Sequence, residues 1–119
     1  EYKDIKAAIG DYADDEDAFS KKIYDVIGAG VGIIESVPAA VSIAYYTQDP
    51  NKCCLMCANL GGDTDTIGAM ATAICGAFVG YSKINPEYTE LLRVQNPETD
   101  FEEYINILEK GRELLGCGR

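Results

Sequence analysis

From Phe19 to Leu115 the apolar side chains recur at three- and four-residue steps, and nowhere do they alternate with polar ones. Steps of three and four put residues on one stripe of an α-helix, whereas a half-buried strand needs a period of two. The spacing predicts an all-α chain of about six helices without repeats, and an orthogonal bundle is the expected packing.

Local signals place those helices. Phe19, Ile23, Val26 and Ile27 stripe a helix over 18–27 that Gly28 ends. Ala39, Ala40, Ile43 and Ala44 stripe the next, which is expected to start near Glu35 or Ser36, with Pro38 in its first turn, and to reach Thr47. Asp49 as N-cap and Pro50 at the first helical position open a third helix, carrying Cys53, Cys54, Met56, Cys57 and Leu60 and stopped by Gly61-Gly62. Thr64 to about Tyr81 reads as a central buried helix, since Ala69, Ala73, Gly76, Ala77 and Gly80 permit close backbone approach. Asn85-Pro86-Glu87 starts a short helix through Leu92, and Thr99-Asp100-Phe101-Glu102 reads as the capping box of a last one. Residues 1–18 read as a short helix and a solvated acidic loop, without the glycine turn and distal Glu of an EF-hand.

The 119 residues carry a net charge of −10 and no histidine. Scattered Lys and Arg against that excess of acid cannot form the basic stripe that a phosphate backbone requires, so neither nucleic acid nor an anionic membrane is an expected partner. The uncharged run from Thr66 to Ser82 is interrupted by glycines and too short to span a bilayer. Without histidine there is no Ser/His/Asp or Cys/His nucleophile, and any metal must sit on oxygen or sulfur. The five cysteines are an odd count set in helical sequence, and Cys54-Leu55-Met56-Cys57 has no second pair at zinc-ribbon spacing. Buried reduced thiols and a cytoplasmic location are expected. Gly28-Ala29-Gly30-Val31-Gly32 follows a helix pattern rather than a strand, which excludes a dinucleotide fingerprint.

Asn59-Leu60-Gly61-Gly62-Asp63-Thr64-Asp65-Thr66-Ile67-Gly68 is the stretch richest in chemistry. Within one helical turn the oxygens of Asp63, Asp65 and Thr66 can converge above the helix N-terminus, a donor set that suits a hard divalent cation such as Mg²⁺ or Mn²⁺. The plain alternative is that Asp63 caps the helix and Asp65 is a first-turn acid, each stabilised by the helix dipole. An EF-hand starting at Asp63 fails, with Ile67 at its fifth position and Ile74 where the bidentate Glu belongs. A phosphatase-type aspartate would follow a strand.

Leu60-Gly61-Gly62-Asp63-Thr64-Asp65-Thr66 resembles the signature of the ADP-ribosylglycohydrolase family, which includes dinitrogenase-reductase-activating glycohydrolase. The likeness continues through Ala69, Ala71, Ala73, Gly76, Ala77 and Gly80, and runs back through Gly30 to Glu35-Ser36-Val37-Pro38, which looks most like the serine-linked ADP-ribose hydrolases. It is strongest over residues 26–93. The resemblance implies a metal-dependent hydrolase cleaving the glycosidic bond between ADP-ribose and an acceptor, a protein side chain or a small molecule. It implies two divalent cations, Mg²⁺ or Mn²⁺, with Asp63, Asp65 and Thr66 as ligands and Asp63 and Asp65 as the catalytic pair. Gly30, Val31, Gly61 and Gly62 would flank the bound ADP-ribose, although Gly28 to Gly32 can equally be a plain turn between helices. Glu35 is read as structural, a helix-start acid.

The family's second metal-binding segment, Thr-Asp-Asp-Thr, is not found here, and Asp14-Asp15 lacks both threonines. With Glu rather than Met at position 1, residues 1–119 are expected to be the C-terminal portion of a larger all-α domain. They would need a complementary N-terminal portion, in the same precursor or a second chain, and would expose the apolar face it covers. The rival expectation is a catalytically inactive binding or crystallin-like structural member of the same fold.

Overall fold

A computed structural model describes residues 15–116, and every regular element among them is helical. The short helix and acidic loop expected before residue 15, like Cys117, lie outside the described residues. The chain divides into two units, residues 1–84 and 85–119.

In the first unit, α1 spans Glu16–Lys22 and continues as a π-helical turn, Ile23–Ile27. It begins earlier than its apolar stripe predicts, because Asp15 accepts a hydrogen bond from the Ala18 N–H at 2.9 Å and caps it. The glycine at position 28 ends the π turn as expected, its N–H reaching back five residues to the Ile23 carbonyl at 3.0 Å. Helix α2 spans Ile33–Thr47, so Pro38 stands inside the helix rather than in its first turn. Its missing N–H leaves the carbonyl of Ile34 to water, which is tolerable because Ile34 is exposed. Helix α3, Pro50–Leu60, is opened by Asp49, whose carboxylate accepts from the Asn51 and Lys52 N–H groups at 2.8 and 3.2 Å. Helix α4 is Thr64–Val79, followed by a 3₁₀ turn, Tyr81–Lys83.

The core forms where α2, α3 and α4 meet. Ala39, Ala40 and Ile43 from α2, Cys53, Met56 and Cys57 from α3, and Ile67, Ala71 and Cys75 from α4 are all buried. On each helix these residues repeat at three or four positions, the face that burial of one stripe demands. The Phe19 ring stacks on Tyr46, with centroids 4.0 Å apart, and ties α1 to α2.

Two sequence expectations need correction. Cys54 is exposed, because the i, i+4 pair Cys53 and Cys57 takes the inward face of α3. Helix α4 is buried on one face only: Ala69, Ala73 and Ala77 are exposed, and a side chain added at Gly76 or Gly80 would meet nothing within 4 Å. Val31, Ile33, Ile34 and Phe78 are likewise exposed apolar residues.

The second unit holds α5, Pro86–Gln95, and α6, Phe101–Leu114. Asn85 caps α5 as expected. The cap of α6 is Asp100 rather than Thr99, one residue later, because the carboxylate takes the Glu103 N–H at 3.0 Å while Glu102 pairs with Arg93 at 2.8 Å. No residue of either helix is buried. Among the described residues no helix is long and apolar enough to cross a membrane.

Candidate functional site

Two glycine-containing connections, thirty residues apart in sequence, meet at one point of the first unit. The first links the π turn to α2 through Gly28–Gly32. The second, Gly61-Gly62-Asp63, links α3 to α4. Asp63 donates its backbone N–H to the Ala29 carbonyl at 2.7 Å. Gly62 permits that approach: its φ is +74°, and a Cβ there would stand 2.1 Å from the Ala29 oxygen. Gly61 faces the Tyr24 ring, which a Cβ would approach to 3.4 Å.

The three predicted oxygen donors all stand at the start of α4. Asp63 occupies the N-cap position, but its side chain makes no capping hydrogen bond. Its Oδ1 accepts instead from the Thr66 hydroxyl at 3.0 Å. The Asp65 carboxyl is held below the usual carboxylate range, first by hydrogen bonding with the Asp63 carboxyl and then by the N–H groups of Thr66 and of Asp65 itself. Asp63 and the Thr66 hydroxyl therefore meet at a helix N-terminus, with Asp65 in the same first turn. Among the described residues no Lys or Arg pairs with either acid. Asp65 and Thr66 are exposed and Asp63 is half-buried, so the cluster opens outward.

The Gly28–Gly32 loop lies beside this cluster. Gly30 gives its N–H to Glu35 Oε2 at 2.8 Å. Val31 projects outward, 85% exposed, and the start of α2 at Gly32 carries no side-chain cap. Glu35 does stand in the first turn of α2, as expected, but its carboxylate reaches back to the loop. On the other side, a groove of about 570 Å³ between α1 and the end of α3 is lined by Ser20, Tyr24, Asp25, Asn59 and Gly61. Sequence reasoning missed Tyr24 and the Ala29 carbonyl. Neither has a local signal, because both act through contacts made only when distant segments meet.

The donor set is chemically suited to a hard cation: two carboxylates in contact repel unless a proton or a cation intervenes, and a helix N-terminus supplies only about half a charge. Among the described residues no group of three or more acids or thiols is disposed to hold a metal, so Asp63, Asp65 and Thr66 form at most part of a coordination sphere.

Among the described residues, then, an all-helical unit sets an Asp-Thr-Asp-Thr helix start against a glycine loop. The chain belongs to the ADP-ribosylglycohydrolase family, whose model matches residues 1–115, a wider span than the motif-bearing 26–93. It is 50% identical over 102 residues to the uncharacterized protein YegU of Escherichia coli (strain K12), covering 85% of this chain and 30% of YegU. It is 30% identical over 87 residues to the ADP-ribosylhydrolase ARH3 of Homo sapiens, 64% of this chain and 24% of that protein. To the ADP-ribosylarginine hydrolase Tri1 of Serratia proteamaculans (strain 568) it is 30% identical over 96 residues, 70% of this chain and 26% of Tri1. The chain thus spans less than a third of the length of these relatives. No solved structure gives a significant match.

Proposed function

We propose that this chain supplies one side of the active site of a metal-dependent ADP-ribosylglycohydrolase, which cleaves the glycosidic bond between ADP-ribose and an acceptor. The observation that carries this reading is the Asp63–Thr66 hydrogen bond, with Asp65 in the same turn, at the start of α4 beside the Gly28–Gly32 loop. Asp63, Asp65 and Thr66 would hold Mg²⁺ or Mn²⁺, two ions in the full site, with further ligands from outside this cluster. Bound there, the metal supplies Lewis acidity and charge stabilisation next to a ribose.

The chain's own groups do the positioning. Thr66 fixes one oxygen of Asp63, leaving the other carboxylate oxygens directed by the helix start. Gly62 lets the Ala29 carbonyl reach the Asp63 N–H, which fixes where the acids stand, and Gly61 sets the Tyr24 ring beside them. Gly30 has committed its N–H to Glu35, so the loop offers an anionic diphosphate the backbone of Val31 and Gly32 at the uncapped start of α2. Backbone donors of this kind let a protein of net charge −10 bind an anion. An ADP-ribosylated protein or small molecule is the proposed substrate, and the rest of the domain, roughly the other two-thirds of the relatives' length, the proposed complement. The exposed apolar residues of α2 and α4 support that complement, and the free thiols of α3 and α4 support a reducing compartment, most simply the cytoplasm.

Calorimetric titration of Mn²⁺ and ADP-ribose into the chain joined to the rest of its domain, with a separate turnover assay on an ADP-ribosylated peptide, tests the reading. Binding heat and release of free ADP-ribose are expected, and both are lost in Asp65→Ala with helicity unchanged. No metal heat in the unsubstituted protein removes the basis of the proposal. The second reading, an inactive binding or structural member, is favoured by the absence of a third acid ligand among the described residues, and would show ligand-dependent stabilisation without turnover.

A further inference from the structure

Glu35 is not among the oxygen donors of the candidate site, yet one planar group joins it to them. The carbonyl of Ala29 and the N–H of Gly30 belong to the same peptide unit, and a peptide unit moves as a plane. At one end of it the N–H donates to Glu35 Oε2 at 2.8 Å. At the other the carbonyl accepts the backbone N–H of Asp63 at 2.7 Å. Rotation of this plane breaks both bonds at once.

The neighbouring glycines make room for the carboxylate. A Cβ at Gly28 would lie 2.4 Å from Glu35 Oε2 and one at Gly30 would lie 2.8 Å from it, so Glu35 occupies the volume that the two missing side chains vacate. Ala29 between them is 5% exposed. On the far side, Gly62 admits the Ala29 oxygen where any side chain would exclude it. A charged acceptor on the N–H also polarises the peptide and strengthens its carbonyl as the acceptor for Asp63.

We propose that Glu35 is a positioning residue for the Asp63–Asp65–Thr66 cluster, acting through the Ala29–Gly30 peptide to set where Asp63 enters α4. The role in ligand binding rests on the proposed function above, whereas the mechanical link to Asp63 does not. Glu35→Gln keeps an oxygen for the Gly30 N–H, Glu35→Ala removes it, and Glu35→Asp keeps the charge but withdraws the oxygen by one methylene.

The test combines amide hydrogen exchange by NMR on the chain joined to the rest of its domain with titration of Mn²⁺ alone and of ADP-ribose into the same protein. In Glu35→Ala and Glu35→Asp the Gly30 and Asp63 amides are expected to exchange about ten- to a hundredfold faster, the range for a lost hydrogen bond to a charged group. The Ala71 and Cys75 amides in the core stay unchanged, and Glu35→Gln stays near the unsubstituted chain. Apparent dissociation constants for Mn²⁺ and ADP-ribose rise at least about tenfold in Glu35→Ala and recover in Glu35→Gln. If Glu35→Ala does not fold, Glu35→Asp carries the comparison. Unmoved Asp63 exchange in both Ala and Asp variants overturns the proposal, as does a Gln variant as impaired as the Ala one. If the unsubstituted protein, complement included, binds neither probe while the Asp63 amide responds, the functional reading fails and the link from Glu35 to Asp63 stands.

Discussion

Replacing Gly62 with alanine strikes the contact on which the candidate site depends. The new Cβ would stand 2.1 Å from the Ala29 oxygen and 3.0 Å from its carbonyl carbon, both backbone atoms that no rotamer change can move aside. At φ +74° alanine also incurs left-handed strain of about 1–2 kcal/mol. Separating the loops enough to relieve the overlap breaks the bond from Asp63 to Ala29, worth about 0.5–1.5 kcal/mol. The expected loss is therefore about 1.5–3.5 kcal/mol. With a urea dependence of about 2 kcal/mol per molar, the unfolding midpoint followed by circular dichroism falls by about 1–2 M. Gly76→Ala is the matched control: it stands inside α4 with nothing within 4 Å of its Cβ, and should raise stability by about 0.5–1 kcal/mol. The reasoning is refuted if Gly62→Ala lies within about 0.5 kcal/mol of the unsubstituted chain, the usual range for a surface change.

Asp49→Ala removes the cap of α3 and should cost about 1 kcal/mol by urea denaturation. Partial burial pushes the Asp49 carboxyl up, but the N–H groups of Asn51 and Lys52 and the Asn51 side chain outweigh it and hold it below the usual range. A folded value below the unfolded one means that this stability is present above about pH 4 and lost as pH falls through the folded value; a penalty that persists undiminished at pH 2 contradicts the assignment. Brief alkylation of the native chain, read by peptide mass mapping, should modify Cys54 well before Cys53, Cys57 and Cys75. Hydrogen bonding with Cys57 and burial push the Cys53 thiol up, and burial pushes Cys75 up, so both resist forming the reactive thiolate. Equal labelling in native buffer would show that the α3–α4 contact is open.

The all-helical class and the breaks at Gly28, Gly61 and Asn85 were legible because helix periodicity, caps and glycine stops are local: each is decided by residues within one turn of one another. Even there the reading slipped where two local signals competed. Asp100 displaced Thr99 as a cap by one residue, and Asp15 drew the acidic stretch into α1. The π turn over Ile23–Ile27 has the same apolar spacing as the helix before it, so nothing in the pattern marked it. The Asp63, Asp65 and Thr66 trio was legible for the same reason as the caps, being three residues of one helical turn.

The order of residues alone determined that the chain would be helical, that its acids would gather at the start of α4, and that glycines would flank them. It could not show that Gly28–Gly32 and Gly61–Asp63 share a backbone hydrogen bond, that Glu35 holds the opposite end of the same peptide, or that α4 leaves its small-residue face uncovered. The first of these comes from segments about thirty residues apart packing around one core, and the others from how the same packing disposes the loop and α4. A hydrogen bond between distant backbone groups leaves no periodic trace, because any residue supplies the same N–H and C=O, and only the approach of α2, α3 and α4 selects which of them meet.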